Sequence, residues 1–194
     1  MLWPELSGSE EWLDRALDGI LKDATAGVYP DGVETEETSS YHWVATSQFL
    51  GLVQSARLAG RENNAKVQQL ASIVEKMISY IAYSMDFTGM APMNGDNNEE
   101  YYGSDVLGLA APGQFNRSDW AYIATKGSQG TQPVGFPSKM FPWAGQFISR
   151  SGWGTGHGSS ESVGRECQQL SMGKADKHRD SKVGTACSAD HRDR

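Results

Sequence analysis

The chain has 194 residues and a formal net charge of −7, from 17 basic and 24 acidic side chains. Hydrophobic residues make up 38% and aromatics 10%, enough for a packed core and too much for a wholly disordered chain. No stretch approaches the roughly 20 apolar residues of a membrane span, and an acidic chain is poorly suited to neutralising phosphates, so neither a membrane span nor a nucleic-acid partner is expected.

Met1-Leu2-Trp3-Pro4-Glu5 carries neither a basic n-region nor an apolar h-region, so no signal peptide is read there. Ser9-Glu10-Glu11 then supplies a capping serine and acids for a first helical turn, where the helix dipole favours them. Trp12, Leu13, Leu17, Ile20 and Leu21 follow on one face of a 3.6-residue period. The Tyr29-Pro30-Asp31-Gly32 turn stops this helix, and a loop rich in Glu and Thr leads to Ser39-Ser40. A second helix is expected from about Ser40 to Leu58, through Val44, Phe49, Leu52 and Val53, with Gly60 just past its end. The third is the clearest. Val67, Leu70, Ile73, Val74, Met77, Ile78 and Ile81 form a stripe that faces a neighbouring helix. Helices of similar length joined by short loops predict antiparallel hairpins.

From Asp86 the pattern loosens into turn chemistry, Met90-Ala-Pro-Met-Asn94-Gly95-Asp96-Asn97. Short helices are expected over 101–111 and 117–125. A linker rich in Gly, Gln and Pro, 127–135, precedes Phe141 to Trp153, whose partial alternation fits a strand better than a helix. All nineteen aromatics lie within residues 1–153, and none lies in 154–194. That last segment lacks the apolar surface to offset its ordering entropy, and it is read as a disordered tail, with an abrupt change of texture suggestive of a shifted reading frame. The chain is therefore divided into 1–126, 127–153 and 154–194.

Chemistry concentrates between Tyr29 and His42. Tyr41 and His42 place a phenol, a neutral proton donor at pH 7, beside an imidazole that titrates near neutrality. Adjacent helical residues point about 100° apart, so one pocket receives both only at a helix end or in a groove. Packing or capping is the commoner fate of such a pair, and a solvated turn the commoner fate of an acidic loop.

The order Asp31-Gly32-Val33, Glu36, Thr38 and Tyr41-His42 at a helix head resembles the heparinase II/III-type polysaccharide lyases, which include related alginate lyases. The resemblance begins at Pro4-Glu5-Leu6 and Trp12. It continues through Asn94-Gly95-Asp96 and ends on Gly145-Gln146-Phe147-Ile148-Ser149-Arg150-Ser151-Gly152-Trp153, similar to the family's first β-sandwich strand. Thr38 stands where a serine is expected. The resemblance implies a mainly α fold: helical hairpins of an incomplete (α/α) toroid in 1–126, followed by the opening strand of an incomplete β-sandwich. An acidic polysaccharide, heparan sulfate-like or alginate-like, is the implied partner, and no cofactor is implied.

The implied reaction is β-elimination at a uronic acid. The C5 proton is acidic only when the neighbouring carboxylate is neutralised, after which a base takes the proton and an acid protonates the O4 leaving group. By resemblance Tyr41 is that donor, and the base in one substrate geometry. His42 is the orienting or charge-neutralising group beside it, and Glu36 braces the loop or contacts sugar hydroxyls. Asp96 is read as a turn residue. The family's toroid carries an Asn-His pair upstream of the tyrosine, and this chain has no such dipeptide. The expectation is thus a piece of a larger exported or periplasmic lyase, shortened at both ends and inactive alone. The alternative is a non-catalytic glycan-binding or helical scaffold piece.

Weaker signals carry less. His157, His178, His191, Cys167 and Cys187 match no zinc-ligand spacing, so no metal is expected. Trp120, Tyr122, Trp143 and Trp153 could stack on sugar rings, although core or junction packing is the more usual role.

Overall fold

The computed structural model describes residues 8–150, 152–153 and 169–171. The fold is mainly helical. Helix α1 spans Ser9–Gly27, α2 Ser39–Leu58 and α3 Ala65–Ser84, with two shorter helices, α4 Gly103–Ala110 and α5 Ser118–Ala124. Gly8, at φ 87°, takes the N-cap position of α1, so Ser9 is the first helical residue rather than the cap. Leu13, Leu17, Leu21 and Ala24 bury one face of α1, but Trp12, expected on that face, is 63% exposed.

Helix α3 is the centre of the fold, packing against α1, α2, α4 and α5. Its start is capped by Asn64, whose Oδ1 accepts the backbone N–H of Lys66 at 2.9 Å and of Val67 at 3.4 Å. The expected stripe is its buried face: Val67, Leu70, Val74, Met77, Ile78 and Ile81 are sealed. Each such side chain contributes on the order of 2 kcal/mol through burial. On α2 the buried residues are Ser39, His42, Thr46, Leu50, Val53 and Ala56, so Val44, expected inside, points outward.

Helices α3 and α5 are joined by Arg117. Its guanidinium donates to Glu75 at 2.8 Å and to both carboxylate oxygens of Asp119 at 2.8 and 2.6 Å, and it lies over the buried Trp120 ring. Asp119 also accepts the Tyr83 hydroxyl at 2.9 Å.

The stretch expected as one strand is a hairpin. Strand β1, Lys139–Phe141, turns at 142–145 and pairs antiparallel with β2, Gln146–Ile148. Gly145 supplies the left-handed backbone, φ 69°, that closes the turn. Strand β3, Gln169–Ser171, pairs antiparallel with the other edge of β2 and falls within the expected tail. The remainder of 154–194, with its histidines and cysteines, lies outside the described residues, as does Pro4-Glu5-Leu6.

Among the described residues, hydrogen bonds fasten the hairpin region to the 29–34 loop and to α3 at three places. The Asp31 carboxylate accepts the backbone N–H of Trp143 at 2.8 Å and of Ala144 at 3.4 Å. The Tyr80 hydroxyl donates to Gln146 Oε1 at 2.8 Å. The Arg150 guanidinium donates to the Tyr83 carbonyl at 3.2 Å and to the Met85 carbonyl, where positive charge suits the C-terminal end of α3. No helix among the described residues is long and apolar enough to cross a membrane.

Candidate functional site

The Asp-Gly-Val triplet has a separate physical task at each position. Asp31 holds the hairpin turn. Gly32 sits at φ 93° directly against α3, where a Cβ would meet the Lys76 carbonyl oxygen at 2.5 Å. Val33 is fully buried in the core. The loop therefore enters the helical layer between a charged anchor and an apolar one, and delivers Glu34 to the head of α2.

There Glu34 and His42 meet. The backbone N–H of Glu34 donates to His42 Nδ1 at 3.1 Å, and His42 Nε2 lies 2.9 Å from the Met77 carbonyl. An imidazole that accepts at Nδ1 donates at Nε2, so the ring is the neutral Nε2–H tautomer. Burial pushes its pKa down to about 4, against the opposing pull of the Met77 carbonyl. The ring also packs on Tyr80, with centroids 4.7 Å apart. His42 thus lies inside the protein, tying the 29–34 loop, α2 and α3 together.

Tyr41, one residue earlier, faces out and is 50% exposed. Its hydroxyl makes no hydrogen bond among the described residues, whereas its backbone N–H reaches the capping Thr38 Oγ1 at 3.4 Å. The two neighbours diverge as the helix period demands. Glu36 is exposed, and its backbone N–H donates to Glu34 Oε2 at 2.9 Å. Tyr41, His42 and Glu36 therefore share one loop-helix junction, with only Tyr41 and Glu36 presented to solvent.

Two groups at this junction escape a reading of the sequence. Glu34 is buried, and burial raises its carboxyl pKa above the usual range despite hydrogen bonds from Glu36 and Thr35. No alternation marks it in the sequence, since Gly32, Val33 and Glu34 are buried in succession and Glu34 forms an isolated bridge with Val28. The second group is the 92–100 loop, which folds over the first turn of α2. Asn97 Oδ1 accepts the Ser40 backbone N–H at 3.0 Å and lies against the Ser40 hydroxyl, while Asn97 Nδ2 donates to the Pro92 carbonyl at 2.9 Å. Asn94 donates through Nδ2 to the Glu37 carbonyl, and its Oδ1 lies 3.1 Å from the Ser39 hydroxyl.

The tryptophans divide. Trp120 is buried in the core, Trp153 packs edge-on against Tyr83, and Trp143 is 65% exposed on the hairpin turn. No group of three or more His, Cys, Asp or Glu side chains among the described residues is arranged to hold a metal ion.

Residues 1–104 match the family described as Heparinase II/III N-terminus. The chain is 27% identical over 155 residues to a heparin-sulfate lyase of Pedobacter heparinus, covering 78% of this chain and 23% of that protein. It is 28% identical over 160 residues to a heparin-sulfate lyase of Bacteroides stercoris, covering 79% of this chain and 23% of that protein. Among solved structures, a heparinase III superposes with a TM-score of 0.68 at 26% identity, over 78% of this chain and 24% of that one. The chain thus spans about a quarter of the length of the relatives it matches. With its helical hairpins, its Asp-Gly-Val loop and its Tyr-His helix head, this chain belongs to the heparinase II/III N-terminal family.

Proposed function

We propose that this chain is the tyrosine-bearing part of a polysaccharide lyase that cleaves heparan sulfate-type glycans by β-elimination. The observation that carries this reading is Tyr41: a half-exposed phenol whose hydroxyl makes no hydrogen bond among the described residues, at a buttressed helix head, in a chain whose curated relatives are heparin-sulfate lyases. A base removes the uronate C5 proton, its electron pair forms the C4–C5 double bond, and O4 leaves with a proton from Tyr41. In one substrate geometry Tyr41 is itself the base. His42, neutral and enclosed, serves as an orienting group; it carries no charge with which to neutralise the uronate. Glu36, on the exposed rim, braces the loop or meets sugar hydroxyls.

The chain spans 23% of each curated relative, and a catalytic unit missing members loses orders of magnitude in rate. Little turnover is expected from these residues alone, and the group that neutralises the uronate belongs to the longer assembly. The test replaces the matching stretch of the Pedobacter heparinus enzyme with residues 8–150 and follows unsaturated product by absorbance on heparan sulfate, with alginate as the comparison polymer. Tyr41→Phe should lower the rate at least a hundredfold. Unchanged product formation in that variant removes Tyr41 from its role, and glycan binding without any turnover favours the non-catalytic alternative.

A further inference from the structure

We propose that the 92–100 loop is a positioning clasp for Tyr41, with Asn97 as its principal residue. The inference rests on the lyase reading only in that Tyr41 is the group whose placement matters.

A helix leaves its first backbone N–H groups without intrahelical partners, and the first turn frays unless side chains satisfy them. In α2 that task is split between two distant segments. Thr38, the local cap, takes the Tyr41 N–H. Asn97, 57 residues further along the chain, takes the Ser40 N–H. The Ser40 hydroxyl lies against the same Asn97 oxygen and 3.0 Å from Glu100 Oε1. Asn94 holds the residue before the cap through the Glu37 carbonyl, and Glu37 itself has a left-handed backbone, φ 60°. Gly95 presses on the cap from outside: a Cβ there would meet Thr38 Cγ2 at 2.9 Å.

The clasp is itself braced. Asn97 Nδ2 donates to the Pro92 carbonyl, and that carbonyl is also within 3.0 Å of the Ser39 hydroxyl. The hydrogen bonds from this loop to the helix head fall on residues 37 to 40, and the Tyr41 side chain stays half-exposed. The arrangement fixes the backbone on which the phenol stands and leaves the phenol open. Asn97 is thus a positioning residue, acting on Tyr41 through Ser40.

The test uses the 194-residue chain with tyrosines labelled with carbon-13 at Cζ, the Tyr41 resonance being identified by its loss in Tyr41→Phe. In Asn97→Ala the Ser40 amide should exchange about tenfold faster, and the Tyr41 resonance should shift or broaden, with α3 amides unchanged. Asn97→Asp keeps the acceptor for the Ser40 N–H but loses the donor to the Pro92 carbonyl, so it should restore both readouts only in part. Wild-type exchange at Ser40 together with an unmoved Tyr41 resonance in Asn97→Ala overturns the proposal. If Asn97→Ala does not fold, Asn97→Leu replaces it, because it is close in volume and lacks the acceptor for the Ser40 N–H. A moved Tyr41 resonance there supports the clasp, and an unmoved one overturns it. None of these readouts needs turnover, so an active Tyr41→Phe chimera would sink the lyase reading alone, and an unmoved resonance the clasp alone.

Discussion

The His42 ring accepts the Glu34 backbone N–H at Nδ1, 3.1 Å away, and spends its one proton on the Met77 carbonyl. Burial disfavours the protonated ring and outweighs the opposing pull of the Met77 carbonyl, so the folded pKa lies near 4 while the ordinary value is 6.5. A depressed folded pKa means the unfolded chain binds the proton first as pH falls. Stability from this group is therefore fully present above about pH 6.5 and is lost between there and about pH 4. The loss amounts to about 3 kcal/mol. Glu34 works in the opposite sense, because burial raises its pKa: its contribution is present at low pH and fades as pH rises above 4.5. Urea midpoints at pH 7, 6 and 5 should fall in the wild type, and His42→Gln should flatten that slope.

Two glycines separate backbone strain from steric conflict. Gly32 and Gly60 both have positive φ, 93° and 68°, but only Gly32 faces another element closely. Gly60→Ala should cost about 1 kcal/mol, the price of a left-handed alanine. Gly32→Ala must also move the α3 backbone at Lys76, so it should cost about 3 kcal/mol or more. Denaturant titration of the two variants checks the difference, and equal losses would deny the close approach.

Asp31 is expected to matter through the hairpin. In Asp31→Ala the Trp143 and Ala144 N–H groups lose a charged acceptor, a change worth about 1–3 kcal/mol. Asp31→Asn retains an acceptor oxygen and should recover part of this. Amide exchange at Trp143 gives the local measurement, and it should accelerate in the alanine variant while the Ser40 amide stays as it was.

The Arg117 cluster makes a prediction about a phenol. Burial, then the hydrogen bond to Asp119, pushes the Tyr83 pKa up to about 12. Asp119 is held below its usual value because hydrogen bonds from Arg117 and Tyr83 outweigh the burial that opposes them. Asp119→Asn removes the charge but not the burial, so Tyr83 should titrate below the wild type and still above 10. Ultraviolet titration against Tyr83→Phe reads this directly.

Local rules made the three long helices legible. The α3 stripe is one-sided, and periodicity alone places it against its neighbours. The side of α2 is less plain, because Val44 and Phe49 compete with a face built from His42, Thr46, Leu50 and Val53. Polar His42 and Thr46 lie on the buried side, His42 satisfied by the Glu34 and Met77 backbone groups and Thr46 by the His42 carbonyl. The hairpin was read as a single strand because each of its strands has three residues, too few to show alternation. The outward Tyr41 and inward His42 follow from the helix period once the face is known. Asn97 was not legible at all, since its partner lies 57 residues away and Asn beside Asn94-Gly95-Asp96 looks like an ordinary turn residue.

The hairpin's three fastenings come from different places: a loop carboxylate at Asp31, a mid-helix phenol at Tyr80, and carbonyls at the end of α3 met by Arg150. A body pinned in this way cannot swing about any one pin without tearing out the other two. Freeing the β1–β2 ribbon from the helical layer therefore takes the simultaneous loss of several separated contacts, not of one.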